Sequence, residues 1–232
     1  MCTVSWLQQP GGYHLLCNRD EKRTRGLAEP PRVMETAGTR YIAPTDSDFR
    51  GSWLAVNEYG VALCLLNGEG HNTNASRSRG LIIPELIRAR SADACLSLFA
   101  QLDLSQFAPF TLLMLEPAMP AALAKWSGAR TSILTAVRAP LTSSSYEPDS
   151  VRIERLHTFA RHQPTDPAGL YRFHTSHAGT SAAHAPCMHR ADAATVSFSW
   201  IVVTASEVRF LYLPAAPCQS TAGEQQILTR AA

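Results

Sequence analysis

A pair of glycines, Gly11-Gly12, separates two short stretches of β-forming residues at the start of the chain, and this pattern constrains the fold most strongly. Residues 2–8 and 13–18 carry the apolar and aromatic side chains typical of strands. Glycine tolerates the positive φ angles that tight hairpin turns require. The pattern therefore predicts an N-terminal β-hairpin with its turn at the two glycines.

This hairpin determines which residues face each other across the two strands. If the glycines form the turn, the numbers of facing residues sum to about 23. Thr3 then lies opposite Asp20 and Cys2 opposite Glu21, to within one or two residues. The geometry predicts that the N-terminal end of the chain and an acidic segment converge.

Cys2 becomes the N-terminal residue if Met1 is removed. A free α-amine has a reference pKa of about 7.7–8.0 and a thiol one of about 8.5, so one residue would supply both a nucleophile and a proton acceptor. If Met1 is retained, the nitrogen of Cys2 is locked in a peptide bond and cannot act as the base. Processing of Met1 therefore decides whether this chemistry is available.

Three segments are together similar to a known family: residues 2–6 (CTVSW), 15–21 (LLCNRDE) and 51–60 (GSWLAVNEYG), with a further match ending at Asn67. They resemble the NRDE family, whose eukaryotic members include the transport and Golgi organization protein 2. That family in turn resembles the N-terminal-nucleophile (Ntn) hydrolases of the choloylglycine hydrolase and penicillin V acylase kind. The specific signal covers roughly the first third of the chain.

The order of predicted elements is strands, then helices, then strands, which favours a layered α+β architecture. The predicted elements are a hairpin over 52–57 and 61–67, helices over 81–87 and 92–102 with Ser91 capping the second, a helix over 151–162 and a hairpin over 195–204 and 208–213. We expect loops over 30–50, near the site, and over 141–150. The resemblance implies the four-layer αββα sandwich of Ntn hydrolases, and we expect one domain over 1–232 with a flexible tail from about 215.

The resemblance also implies roles for individual residues. Cys2 would be the nucleophile that attacks an acyl carbon, Asp20 would orient the α-ammonium group, and Asn67 would donate to the tetrahedral oxyanion. Asn67 can also be interpreted as a turn residue before a glycine. The substrate-binding positions implied are Asn18, Arg19 and Asn57.

One position departs from the hydrolase pattern, because Cys17 occupies the place of the site arginine. Arg19 would point to the opposite face of the strand from Asn18. It would replace the missing arginine only if the strand ends or twists there. The departure bears on how a substrate is recognised.

A histidine-rich stretch is the second chemical candidate, with His174, His177, His184, Cys187 and His189. The His-x-x-His and Cys-x-His spacings suit zinc or haem iron. Residues 178–186, however, have the composition of a flexible loop, and no four residues match a standard zinc-finger spacing. We therefore expect a mobile polar loop here, no metal and no cofactor.

Charge and composition limit the kinds of partner and the location that are expected for this chain. The net charge is +2 and the basic residues are spread along the chain, so nucleic acid is not an expected partner. No apolar run approaches the ~20 residues that span a bilayer, and no secretory signal precedes the first strand, so a cytoplasmic location is expected. The six cysteines form no C-x-x-C pair and are expected to be reduced.

Two function hypotheses follow. The protein is either an amidase or acyltransferase acting on a linear, non-peptide amide through an acyl-enzyme on Cys2, or a non-catalytic protein that binds or transports haem or an acyl lipid in the same pocket. Both hypotheses predict a small-molecule ligand, and both are compatible with a homo-oligomer. Replacing Cys2 by alanine separates them.

Overall fold

The computed structural model describes residues 2–231, which form two stacked β-sheets between two helical layers. Within that range the strands are β1 (Cys2–Gln9), β2 (Gly12–Lys22), β3 (Glu29–Thr36), β4 (Thr39–Thr45), β5 (Leu54–Asn57), β6 (Ala62–Asn67), β7 (Phe110–Leu115), β8 (Ala122–Trp126), β9 (Thr131–Leu134), β10 (Leu141–Ser143), β11 (Ala193–Val203), β12 (Glu207–Leu213) and β13 (Glu224–Thr229). The α-helices are α1 (Ile82–Leu86), α2 (Ala92–Phe99), α3 (Pro148–His162) and α4 (Pro167–Thr175), and a short 3₁₀ turn (Arg79–Leu81) precedes α1.

Both sheets are antiparallel throughout. The first has the strand order β10-β1-β2-β11-β12-β13 and the second runs in sequence from β3 to β9. Apolar side chains from both sheets, such as Val4 and Leu54, form the core between them. Helices α1 and α2 cover the outer face of the second sheet, and α4 packs Leu170 against the outer face of the first. This arrangement confirms the predicted α+β, αββα sandwich.

The N-terminal hairpin forms as predicted, but its turn lies one residue earlier. Gln9 pairs with Gly12, so Pro10-Gly11 is the turn. A type II turn requires positive φ at its second central position and favours proline at the first, and Gly11 has φ +76°. Facing residues therefore shift by two, which keeps every side chain on its predicted face.

Three segments predicted to lack regular structure form strands instead. Residues 29–45 fold into the β3–β4 hairpin, because β3 is an edge strand, where the missing N–H groups of Pro30 and Pro31 disrupt no ladder. Residues 141–143 form β10 against β1. The expected flexible tail is wrong over 224–229, where β13 pairs with β12 and buries Leu228 in the core between the sheets.

Several local predictions are confirmed. The second hairpin is β5–β6, and Gly60 in its loop has φ +80°. Ser91 caps α2, since its side chain accepts from the N–H of Ala94 at 3.1 Å.

Among the helices of residues 2–231, none is long and apolar enough to cross a membrane.

Candidate active site

One cavity of about 570 Å³ is lined by three of the candidate site residues, Cys2, Arg19 and Asn67. Cys2 begins β1, Arg19 lies directly opposite it on β2, and Asn67 ends β6. The first two belong to one sheet and the third to the other. The cavity therefore lies where the two stacked sheets contribute side chains to a common space.

Cys2 is 5% exposed and is held by a neighbouring strand. Its backbone N–H donates to Ser143 Oγ at 3.2 Å, and Ser143 faces Cys2 directly in the β1–β10 pairing. A hydrogen bond with the Cys17 thiol, together with burial, raises the pKa of the Cys2 thiol well above its ordinary value. The thiol is therefore protonated at neutral pH and needs a base before it can act as a nucleophile.

The lining of the cavity is predominantly basic. Its charged side chains are the cations Arg19, Lys22, Arg25, Arg77 and Arg79 and the carboxylates Glu21 and Asp46. Arg19 and Arg25 both donate to Asp46 Oδ2, at 2.8 and 2.6 Å. Burial lowers the pKa of Arg79, whose guanidinium is partly removed from water. The excess of positive charge favours an anionic ligand.

Arg19 reaches the cavity without any break in β2. Cys17 and Arg19 point toward the face that carries Cys2, whereas Asn18 points to the opposite face. Arg19 therefore lies on the same face as Cys17, which occupies the place of the site arginine, and β2 continues past it to Lys22. The guanidinium carbon lies 4.4 Å from the centre of the Trp53 ring, a cation–π contact that holds the side chain along the cavity wall.

Asp20 lies behind the cavity, on the outer face of β2. Its Oδ2 accepts from Arg155 Nη1 at 3.0 Å and its Oδ1 accepts from Thr195 Oγ1 at 2.7 Å. Arg155 comes from α3, is 1% exposed, and also donates to Thr142 Oγ1 at 3.1 Å and to the carbonyl of Ala183 at 3.2 Å. A buried ion pair therefore supports the strand from which Arg19 enters the cavity.

Asn18 also faces the helical layer, where it contacts His174. Its NH₂ group donates to the carbonyl oxygens of His174 and Pro186 at 2.9 and 2.8 Å. Its amide oxygen therefore faces His174 Nδ1 at a distance of 3.1 Å. Because an amide oxygen only accepts, His174 Nδ1 carries the hydrogen. The other ring nitrogen, Nε2, accepts from the Ser5 hydroxyl at 2.8 Å. The substrate-binding role of Asn18 is corrected, because its amide is fully buried and hydrogen-bonded within the protein.

The same correction applies to Asn57. Its NH₂ group donates to the carbonyl oxygens of Ile87 and Ala89, both at 2.7 Å, and its oxygen accepts from the N–H groups of Tyr59 and Val61 at 3.1 and 3.0 Å. The side chain is completely buried. Asn57 therefore ties the β5–β6 loop to the end of α1 and is not among the residues that line the Cys2 cavity.

Asn67 is the exposed last residue of β6 and, like Cys2, is one of the residues that line the cavity. The backbone N–H of Gly68, next in the chain, donates to the carbonyl of Pro109 at 3.0 Å. That N–H is therefore engaged within the protein, and the side chain of Asn67 is the better placed donor for a ligand in the cavity.

The histidine-rich stretch divides into separate environments. His174 is buried beside Asn18, and His184 lies 3.0 Å from Ser150 Oγ. The expected mobile loop over 178–186 is wrong for residues 183–186, which are all buried. His177, Cys187 and His189 instead approach a cysteine from the C-terminal part of the chain, Cys218.

Three solved structures illustrate the fold that this chain shares. The chain is similar to penicillin V acylase from Agrobacterium tumefaciens (TM-score 0.58, 8% identity, 99% of this chain and 86% of that one). It is similar to an N-acylethanolamine-hydrolyzing acid amidase ortholog from Caenorhabditis elegans (TM-score 0.63, 12% identity, 98% and 100%). It is also similar to the C2A mutant of conjugated bile acid hydrolase from Clostridium perfringens (TM-score 0.59, 9% identity, 100% and 97%). Among curated proteins none matches the chain by sequence.

The two sheets between helical layers define an Ntn-hydrolase-like fold. The sequence model of the Transport and Golgi organisation 2 family matches residues 1–160. The chain belongs to that family, as the NRDE resemblance predicts.

Proposed function

We propose that this protein is a cysteine amidase or acyltransferase that acts on a linear, non-peptide amide carrying an anionic group. The observation that supports this most directly is the shared cavity of Cys2, Arg19 and Asn67. A nucleophile, a cation and an amide donor then surround one space large enough for a small molecule. The names of the structural neighbours, a penicillin V acylase, an N-acylethanolamine-hydrolyzing acid amidase and a conjugated bile acid hydrolase, agree with a hydrolytic reaction on a small molecule.

The reaction first requires a base that takes the proton of the Cys2 thiol. Cys2 has no such base of its own while Met1 is attached. Whether Met1 is removed lies outside the described residues, but its removal would convert the nitrogen of Cys2 into a free α-amine. That amine would lie beside Ser143 Oγ, which is 3.2 Å from the Cys2 nitrogen. It would take the thiol proton directly or through a water.

The thiolate sulfur then attacks the acyl carbon, and the NH₂ group of Asn67 donates to the oxyanion that forms. Collapse of the tetrahedral intermediate breaks the C–N bond, and the leaving amine takes the proton. Water, or a second nucleophile in an acyltransferase, cleaves the thioester and restores the thiol. Asp20 would act from behind the strand as a positioning residue, because both of its oxygens accept hydrogen bonds outside the cavity.

The basic lining determines the substrate class. Arg19 and Arg25 already share Asp46, whereas Lys22 is exposed at the cavity wall. A carboxylate or similar group on the substrate would be held there by charge-assisted hydrogen bonds. Trp53 offers an apolar surface for the acyl chain at the same wall.

A second candidate function is binding without turnover, with haem or an acyl lipid in the same cavity. The raised pKa of the Cys2 thiol favours this alternative, because a protonated thiol is a poor nucleophile. Haem propionates and lipid carboxylates would meet the same cations. This candidate requires no processing of Met1.

The test is amine release from a panel of N-acyl amides, in pairs with and without a terminal carboxylate, by the wild type, Cys2→Ala and the buried-cysteine control Cys95→Ala. We expect turnover by the wild type and the control, faster on the carboxylate members, and none by Cys2→Ala. Unchanged turnover in Cys2→Ala would refute the proposal. No turnover by processed wild type, combined with micromolar binding of haem or a fatty acid, would establish the second candidate.

A further inference from the structure

We propose that His177, Cys187, His189 and Cys218 bind a zinc ion. The four side chains lie outside the Cys2 cavity, and their ligand atoms all lie within 4.8 Å of one another. The site does not depend on the proposed reaction of Cys2. It would be a structural element of the fold on the outer side of the first sheet.

The distances match a tetrahedral ion. The two sulfur atoms lie 3.4 Å apart, and His189 Nε2 lies 3.5 Å from Cys187 Sγ and 3.2 Å from Cys218 Sγ. With Zn–S bonds of about 2.3 Å and Zn–N bonds of about 2.0–2.1 Å, tetrahedral ligand atoms lie about 3.3–3.8 Å apart. The rings of His177 and His189 have their centres 5.2 Å apart at 74°, so two imidazoles approach the same point from different directions.

The chemistry of the four ligand atoms determines which metal ion fits the site. Two thiolates and two imidazoles in a tetrahedral arrangement are the ligands of structural zinc, and hard cations such as Mg²⁺ and Ca²⁺ require oxygen ligands that this cluster does not offer. All four protein ligands together fill the coordination sphere. The site is therefore closed and would not supply an activated water.

Hydrogen bonds to backbone carbonyls already hold the ligands in place. The N–H of Cys187 donates to the carbonyl of Ser176 at 3.0 Å, which fixes it beside His177. The hydroxyl of Tyr171 in α4 donates to the carbonyl of Pro217 at 3.0 Å, which fixes the residue before Cys218. Three separate segments of the chain are thus pre-arranged around the cluster, which lowers the entropy cost of binding an ion.

Zinc at this position would stabilise the residues behind the candidate active site. Pro186, which precedes Cys187, accepts from the amide of Asn18 at 2.8 Å. Met188, between Cys187 and His189, donates its N–H to Thr195 Oγ1 at 2.9 Å, and that hydroxyl donates to Asp20. The ion would therefore cross-link the segment that supports Asn18 and Asp20 to the segment after β12.

The test uses full-length protein without a histidine tag, purified under reducing conditions, with zinc measured by inductively coupled plasma mass spectrometry. We expect one zinc per chain, and reconstitution of the chelated protein with Co²⁺ should give the visible bands of tetrahedral cobalt together with thiolate-to-cobalt charge transfer. Cys218→Ser and His177→Ala should lose stoichiometric metal. Both replace exposed side chains, and the exposed His71→Ala, remote from the cluster in the sequence, should retain it.

Circular dichroism of each variant separates loss of metal from loss of fold. Folded, reduced wild type that takes up no more Zn²⁺ than Cys218→Ser would overturn the proposal. An intact mass two hydrogens lighter in freshly purified protein, traced to a Cys187–Cys218 disulfide, would also overturn it, because the thiolates would then be unavailable to the ion.

Discussion

Arg155 Nη1 lies 3.0 Å from Asp20 Oδ2, and both side chains are 1% exposed. These residues are 135 positions apart in sequence, and their contact joins α3 to the strand that carries Arg19. A buried ion pair of this kind contributes little net stability over an apolar pair, but removing one partner leaves an uncompensated charge. The pair therefore fixes α3 and β2 relative to each other.

Replacing Arg155 by methionine should destabilise the protein by about 3–5 kcal/mol, because Asp20 is left charged in the core. The double variant with Asp20→Asn should recover part of that loss. The matched control is Arg152→Met on the same helix, whose ion pair with Asp149 is exposed and whose loss should cost at most about 1 kcal/mol. Urea denaturation measures all three. Equal losses for the two arginine variants would contradict the account.

Asn67→Ala should leave stability unchanged and slow turnover by about 10²–10³-fold, as expected for an oxyanion donor. The side chain is exposed and the strand continues to pair through its backbone, so folding should not suffer. Asn74→Ala, another exposed asparagine, should have the rate of the wild type. Steady-state kinetics on the best acyl amide give the answer. A rise in KM with kcat unchanged would assign Asn67 to substrate binding only.

His174 should make the protein sensitive to acid. Burial, with the charge of Arg155, lowers the pKa of His174 to about 3, whereas the unfolded chain has the ordinary value of about 6.5. Because the folded pKa is depressed, the unfolded state binds the proton first, and stability falls as the pH drops below about 6.5.

The wild type should lose about 2.5 kcal/mol more than His174→Gln between about pH 6 and pH 4. Denaturant melts at several pH values measure this difference, which removes the contribution of the carboxylates common to both proteins. Parallel stability curves for the two proteins would show that His174 is not the group responsible.

Much of the architecture is readable in the sequence because local rules determine it. The β1–β2 and β5–β6 hairpins follow from strand-forming stretches around glycine, and Ser91 caps α2 as its position predicts. The turn lies at Pro10-Gly11, one residue before the predicted position. Proline fixes φ at the first turn position, and this constraint outweighs the preference for a turn made of two glycines.

The supporting residues of the site could not be predicted in the same way. The sequence of α3 does not distinguish among its three arginines, Arg152, Arg155 and Arg161. Only the contact with the distant Asp20 determines that Arg155 is the buried one. Cys218 stands 29 residues beyond His189, so no local spacing marks it as a partner. Such contacts depend on how the layers stack, which sequence periodicity does not encode.

The most direct test of the account is intact mass spectrometry of purified protein before and after a stoichiometric thiol-directed electrophile, with Cys2→Ala alongside. We expect Met1 to be absent and one label to appear on Cys2 faster than on the exposed Cys218. Cys2→Ala should lose that fast label. Retained Met1 with an unreactive Cys2 would contradict a nucleophilic role and leave the cavity as a binding site for haem or an acyl lipid.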